Sequence, residues 1–342
     1  MVSPLSLTAF DIAQRFVGVA EIPGTISNPQ VLAFLRLDAS WPSTDEVSWC
    51  FTGDIEILTT EGFHRFDALP KGLPVAQVDP FLGISFAIPT RYVRTRHRGP
   101  LAHLRSRDVD LTCDPQHHFL GVWNRASPAM GSLELRPITD LRSSLSIPRV
   151  ETARGEDDPA WTDRDLSLLA AFLSDGFLYH GRIRVQVSRE RKIDALHALG
   201  PSRVYKAKRA YGRSVAPLTT FEFVGPAWLT SVFTDYKVPQ WELLRSWSRR
   251  QLETFVLAYA TFDGSRKGVH GHRLYTSLPR LRDWLQIAVT LAGFHSSWRQ
   301  SAVSPFSGRP CDEVTFATEK RVRTFRSNML TIEDGETDVY CV

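Results

Sequence analysis

Cysteine is scarce in this chain, four among 342 residues, and the four stand far apart at Cys50, Cys113, Cys311 and Cys341. There is no CxxC pair and no Cys/His spacing of the structural-zinc kind, which excludes a disulfide scaffold and a zinc module. Long apolar runs are lacking as well: nothing approaches the roughly 18 residues that a spanning helix needs. The opening MVSPLSLTAFDIAQRF has neither a basic start nor the apolar stretch of a secretory signal. These absences predict a cytoplasmic protein with no membrane partner. Neither sign of charge dominates the whole, since the net charge is only +4. What is there is enough apolar material for packed cores, 43% against 23% charged. At roughly 150 residues per domain, the length predicts two domains or more.

Four segments separate along the chain. Residues 1–49 open with a helical stripe (Leu7, Phe10, Ala13, Phe16, Val17), pass through the broken stretch EIPGTISNP and hold no complete core. From Cys50 to about residue 150, short β-rich runs such as DIEILTT, LPVAQVD and HFLGVW alternate with Gly, Pro and Asp turns, predicting an all-β module. After the acidic connector ARGEDDPAWTDRD, residues 160–320 read as mixed α and β. Residues 321–342 return to β character.

The third segment carries two unusual features. Between Gly181 and Arg213 there are ten Lys/Arg against two acids, and several alternate with apolar residues, as in RIRVQVSR and RVYKAKR. Period two puts such basic groups on one sheet face, which suits duplex phosphates; Arg266 and Lys267 extend the pattern. The second feature is a pair of apolar helices, DLSLLAAFLSDG and QLETFVLAYATFDG, whose Asp175 and Asp263 lie 88 residues apart. Thr162 with Asp165 predicts a capping box, and Leu166, Leu169, Ala170 and Leu173 form the buried stripe. A helix of this kind closes readily on a C-terminal glycine with a solvated Asp. An acid at a helix C-terminus opposes the macrodipole, however, and finding it twice points to a purpose. Packing through the aligned Ala170 and Ala258 would bring the two carboxylates together as oxygen ligands for a divalent metal.

SLLAAFLSDGF and FVLAYATFDGS, with YKVPQW and YTSLPRLRDWLQIAVTLAGFHSS on their flanks, resemble the paired motifs of LAGLIDADG (dodecapeptide) homing endonucleases. That resemblance implies an α+β unit of two pseudo-symmetric helix–sheet halves cleaving double-stranded DNA over a long recognition site. It implies Asp175 and Asp263 as the Mg²⁺-binding catalytic pair. Arg182, Arg184, Arg189, Arg191, Lys206, Lys208, Arg266 and Lys267 would be DNA contacts, with Lys206, Lys208 and Lys267 open as the assisting lysine. Phe262 departs from the family pattern, where a small residue is usual.

WCFTGDIEILTTEGF, LTCDPQHHF and ETDVYCV, in that order around the nuclease-like segment, resemble the splicing blocks of an intein, an all-β Hint (horseshoe) domain. The implied chemistry is an N→S acyl shift in which the Cys50 sulfur attacks the Trp49 carbonyl and His117 protonates the departing amine. Asp114 stands where the family has Thr, and Cys341 where it has Asp or Cys. The terminal His-Asn pair of that family does not occur by Val342, so a C-terminal intein and extein fragment is an expected partner. The first 49 residues resemble the start of a CHAP-like cysteine peptidoglycan hydrolase of phage and bacteria, which would make them the N-extein. Together the resemblances imply a multidomain chain, a Hint domain interrupted by the endonuclease. Two other readings remain open: a cysteine peptidase or amidase using Cys50 and His117, and a DNA-binding protein without catalysis.

Overall fold

The computed structural model describes residues 50–342 except 79–82, 107–108, 125–131, 149, 153, 208–216, 302–309 and 319–322. The reading of residues 1–49 as a hydrolase fragment, Trp49 and Lys208 lie outside the described residues.

The β-rich segment is built from both ends of the described chain. Phe51–Thr52, Leu330–Cys341, Val93–Ser106 and Val109–Cys113 form a closed barrel in that order. The long strands Val93–Ser106 and Leu330–Cys341 pair antiparallel along the whole of the latter, from Leu330 against Leu104 to Cys341 against Val93. Arg94, Arg96 and Arg98 on one strand pair with Glu336 and Asp338 on the other, a charge ladder on an exposed ribbon. A small core of Ala102, Leu104, Cys113, Trp123, Ile138, Leu141, Leu145 and Phe325 lies beneath. The outgoing strand Ser144–Ile147 and the returning strand Arg323–Arg326 are themselves neighbours, paired from Ser144–Arg326 to Ile147–Arg323.

Between those two strands runs a unit made twice from the same parts. Helix α1 (Asp163–Asp175) leads to strands Gly176–Tyr179 and Arg182–Val187, helix α2 (Glu190–Ala198), and strands Arg203–Lys206 and Thr219–Val224. After a short hairpin and helix α3 (Trp241–Ser246), helix α4 (Arg249–Asp263) leads to strands Gly264–Lys267 and Gly271–Thr276. Helix α5 (Pro279–Leu291) and strands Ser296–Ser301 and Cys311–Ala317 complete the second copy. The two four-stranded sheets have the same order, with the last strand of each copy inside and the third at the edge. The 88-residue repeat is thus a repeat of structure.

Both long helices begin on capping boxes. The Thr162 hydroxyl accepts from the Asp165 N–H, and Ser248 accepts from the Gln251 N–H while Gln251 returns the bond to Ser248. Such caps satisfy N–H groups that the first helical turn leaves orphaned. In α1 the stripe Leu166, Leu169, Ala170 and Leu173 is buried, but so are Leu168, Ala171 and Phe172. The helix is enclosed on nearly all sides, beyond what one amphipathic stripe requires. One core spans both copies, and Leu58, Phe63, Ala76 and Phe86 of the β module pack against it.

The glycine that closes each helix is not in the left-handed conformation common at helix ends. Gly176 (φ −87°, ψ 161°) and Gly264 (φ −133°, ψ 172°) are extended and open the next strand. Glycine is needed there for close approach: a Cβ on Gly176 would sit 2.5 Å from the Phe172 Cα, and one on Gly264 2.5 Å from the Ala260 carbonyl.

Candidate active sites

The two helix ends meet at a lysine. Lys192, on the first turn of α2, puts its Nζ 2.5 Å from Asp175 Oδ2 and 3.4 Å from Asp263 Oδ1, with 9% of its side chain exposed. Two carboxylates at the negative ends of two helices raise a local potential that demands a cation. Burial, and then the Asp175 charge, push the Asp263 carboxyl above its ordinary range. A second lysine lies near both carboxylates. Lys237, in the turn before Val238–Pro239, donates from Nζ to the Ser174 carbonyl at 3.2 Å. Burial draws its ammonium below the usual lysine range, against the opposing pull of Asp263 and Asp175. Lys237 holds a left-handed backbone (φ 54°), a conformation costly for a non-glycine residue and common where function over-determines the chain.

No group of three His, Cys, Asp or Glu side chains converges on a metal position among the described residues. The oxygen-rich donor set of Asp175 and Asp263 still fits a hard divalent ion that keeps most of its waters. The Lys192 ammonium is itself a cation gripped by both carboxylates. Phe262 buries its ring, at 2% exposure, and both aspartates nevertheless reach the same lysine.

Neither Lys192 nor Lys237 was singled out from sequence for this site, although Lys237 lies within YKVPQW and Lys192 within the basic stretch. The lysines read as candidates lie elsewhere. Lys206 pairs with Thr219, which also faces the buried Val187, so strand alternation puts Lys206 on the face opposite Arg184. Arg266 shares a face with His272 and Leu274, not with Lys267 and Arg273. Arg191 lies on α2 and not on a sheet; its guanidinium donates to the Gly264 carbonyl at 2.7 Å and ties α2 to the second motif. Arg189 is the residue before α2. The polar face of the first sheet instead presents Arg182, Arg184 and Arg203 around one acid, Glu222, whose side chain is 3% exposed. The second sheet repeats the device with Arg273 and Arg299 around Glu313. The Arg184 guanidinium holds Glu222 below the ordinary carboxylate range and also stacks over Tyr179 at 3.7 Å.

The β module assembles a separate cluster. Phe51 pairs with Tyr340 on one side and with Cys113 on the other. The Cys50 carbonyl accepts from the Asp114 N–H at 3.1 Å. The thiols of Cys50 and Cys341 are within hydrogen-bonding reach, and this contact together with burial raises the Cys341 thiol. Asp114 turns inward on itself: its Oδ1 accepts from the Gln116 N–H at 2.7 Å, and its Oδ2 faces His97 Nδ1 at 3.6 Å. His97 was not anticipated, because only the pairing of Val93–Ser106 brings it near. His117 closes the Asp114–His117 turn, and its ring packs at 4.1 Å on Phe51 and 5.0 Å on Phe119. Cys113 is buried, which pushes its thiol up to about 12.

No protein-family model and no curated protein matches the chain. Among solved structures, it is similar to mesophilic variants of the homing endonuclease I-DmoI, at 12% identity over 46% of this chain and 89% of that one, with a TM-score of 0.31. A variant of I-DmoI in complex with its target DNA and manganese gives 13% identity, coverage of 45% and 87%, and a TM-score of 0.31. The N-terminal LAGLIDADG domain of DUF199/WhiA gives 9% identity, coverage of 47% and 80%, and a TM-score of 0.29.

Proposed function

We propose that residues 160–320 cleave double-stranded DNA with the help of a divalent metal, as a LAGLIDADG-type homing endonuclease. The observation that carries this reading is the convergence of Asp175 and Asp263, from equivalent positions of two like units, on a single cationic position. Asp175 and Asp263 would hold Mg²⁺. When bound, such an ion stabilises charge on a phosphodiester and acidifies water. The arginine faces around Glu222 and Glu313 take the phosphates. Lys237, with its depressed affinity for a proton, accepts one from water more readily than an exposed lysine would. The test is cleavage of a randomised duplex library with Mg²⁺, followed by sequencing of the ends, beside Asp175→Asn and Asp263→Asn. Recurrent cleavage at one long site, lost in both variants, supports the reading; unselective binding with intact duplexes throughout refutes it.

A second observation favours a second activity in the β module. Cys50 stands at a barrel mouth, its carbonyl held by the Asp114 N–H and its thiol beside Cys341. This arrangement suits an N→S acyl shift: the Cys50 sulfur bonds to the Trp49 carbonyl carbon, the C–N bond breaks, and the amine leaves with a proton. His117 is the candidate proton donor and Asp114 a positioning group, as in a Hint-type splicing domain. Excess thiol should release residues 1–49 from the chain and not from Cys50→Ala; equal release from both would exclude the shift.

A further inference from the structure

Continuing the pairing of Phe51 with Tyr340 and Thr52 with Val339 by one residue sets Cys50 directly opposite Cys341. The kind of pair they make is fixed by the other neighbour. Within a strand, the N–H and C=O of one residue point to the same side. The Cys50 carbonyl is committed to Asp114 on the Val109–Cys113 side. Toward the last strand Cys50 therefore forms a non-hydrogen-bonded pair, the narrow kind with Cα atoms about 4.5 Å apart. Disulfides span Cα separations of roughly 4.4–6.8 Å. The two thiols lie within hydrogen-bonding reach, and both residues are half-buried, open to a small oxidant. Neither other cysteine competes. Cys113 is buried and pairs with Phe51, on the opposite face of the strand from Cys50, while Cys311 belongs to a different sheet.

We propose that Cys50 and Cys341 form a reversible disulfide that staples the first and last strands of the barrel and masks Cys50. The masking of chemistry rests on the acyl-shift reading above; the disulfide does not. With oxidised glutathione as oxidant, the Cys50 thiolate attacks one glutathione sulfur and expels a glutathione thiolate. Cys341 then loses its proton to solvent, attacks the Cys50 sulfur and expels the second. Two electrons pass to the oxidant, which ends as two thiols, and one S–S bond joins the strands. A cross-strand bond at a barrel end is exposed enough for a reducing compartment to reopen it.

The experiment uses the full chain, treated with oxidised glutathione or with a phosphine reductant. Free thiols are then alkylated under denaturing conditions and the chain is digested without reduction. The oxidised chain should yield a Cys50–Cys341 linked peptide and lose two of its four alkylation sites, whereas Cys341→Ser should carry glutathione on Cys50. Glutathione on Cys50 of the unsubstituted chain, or linkage of Cys50 to Cys113 or Cys311, would overturn the pairing. Hydroxylamine, which attacks thioesters, reads the masking: cleavage at Trp49–Cys50 should be at least tenfold slower in the oxidised chain and return with the phosphine. Equal cleavage in both forms overturns the masking. A linked peptide with cleavage in neither form leaves the disulfide standing and removes the acyl-shift reading instead.

Discussion

Replacing Lys192 by methionine keeps the length of the side chain and removes its charge, so it tests whether the ammonium holds the two helix ends together. In the native chain that charge neutralises Asp175 and Asp263, which are 26% and 37% exposed. Without it, two carboxylates face each other across the gap the ammonium bridged. Held at 2.5 and 3.4 Å from the ammonium, they lie at most about 6 Å apart and repel by about 3 kcal/mol or more at an effective dielectric of 20. Solvent access to both acids lowers the net cost to about 2 kcal/mol. In a module of this size that is a drop in melting midpoint of about 4–8 °C without metal. A divalent ion no longer has to displace the ammonium, so Mn²⁺ should bind roughly ten- to a hundredfold more tightly, about 1.4–2.7 kcal/mol. Thermal melting across a Mn²⁺ series, with calorimetric titration of both proteins, reads both effects. Stability lost in Lys192→Met should be regained with metal. Equal midpoints without metal and equal Mn²⁺ affinities would show that the ammonium does not organise the site.

Three other outcomes follow from the same geometry. The lowered Lys237 value means that the native state holds fewer protons than the unfolded chain between that value and the ordinary 10.5. Stability should therefore rise with pH in that window. The cleavage rate should climb over the same range and go flat and at least roughly a hundredfold lower in Lys237→Met, as a pH–rate profile would show. Gly264→Ala drives a methyl against the Ala260 backbone; it should cost about 1–3 kcal/mol in urea unfolding, and an unchanged midpoint would contradict the close-approach argument. Glu222→Gln releases Arg182 and Arg184 from their shared acid. Non-specific DNA binding should tighten and its salt dependence steepen by about one counterion, and fluorescence anisotropy at several salt concentrations would detect the change.

Features written in local sequence were legible. The Thr162–Asp165 box, the alternation in RIRVQV and the repeated Asp-Gly helix ends are all short-range patterns. What escaped was fixed by tertiary approach. Lys192 and Lys237 are 17 and 62 residues from Asp175, by the numbering; YKVPQW marked Lys237 as part of a motif but not as a neighbour of the carboxylates, and nothing local sets Lys192 apart from the other basic residues around it. The faces of Lys206 and Arg266 depend on which strand residue faces the helices, and a one-residue shift in register exchanges the two faces. Glu222 drew no notice in the sequence, being one acid in a separate strand, yet pairing sets it among three arginines. The backbone at the Asp-Gly junctions was not legible, because glycine has two uses, left-handed backbone and steric room, and sequence alone does not say which applies.

The side-by-side pairing of Ile147 with Arg323 has an evolutionary corollary. A chain that leaves and returns through adjacent antiparallel strands could be closed by a tight turn, so a deletion or acquisition of the whole intervening segment need not unthread the barrel. The obstacle is wetting: Leu58, Phe63, Ala76 and Phe86 would lose the apolar neighbours that now cover them. A lineage shedding the insert would be expected to exchange those four side chains for polar ones, while keeping the strands at the seam.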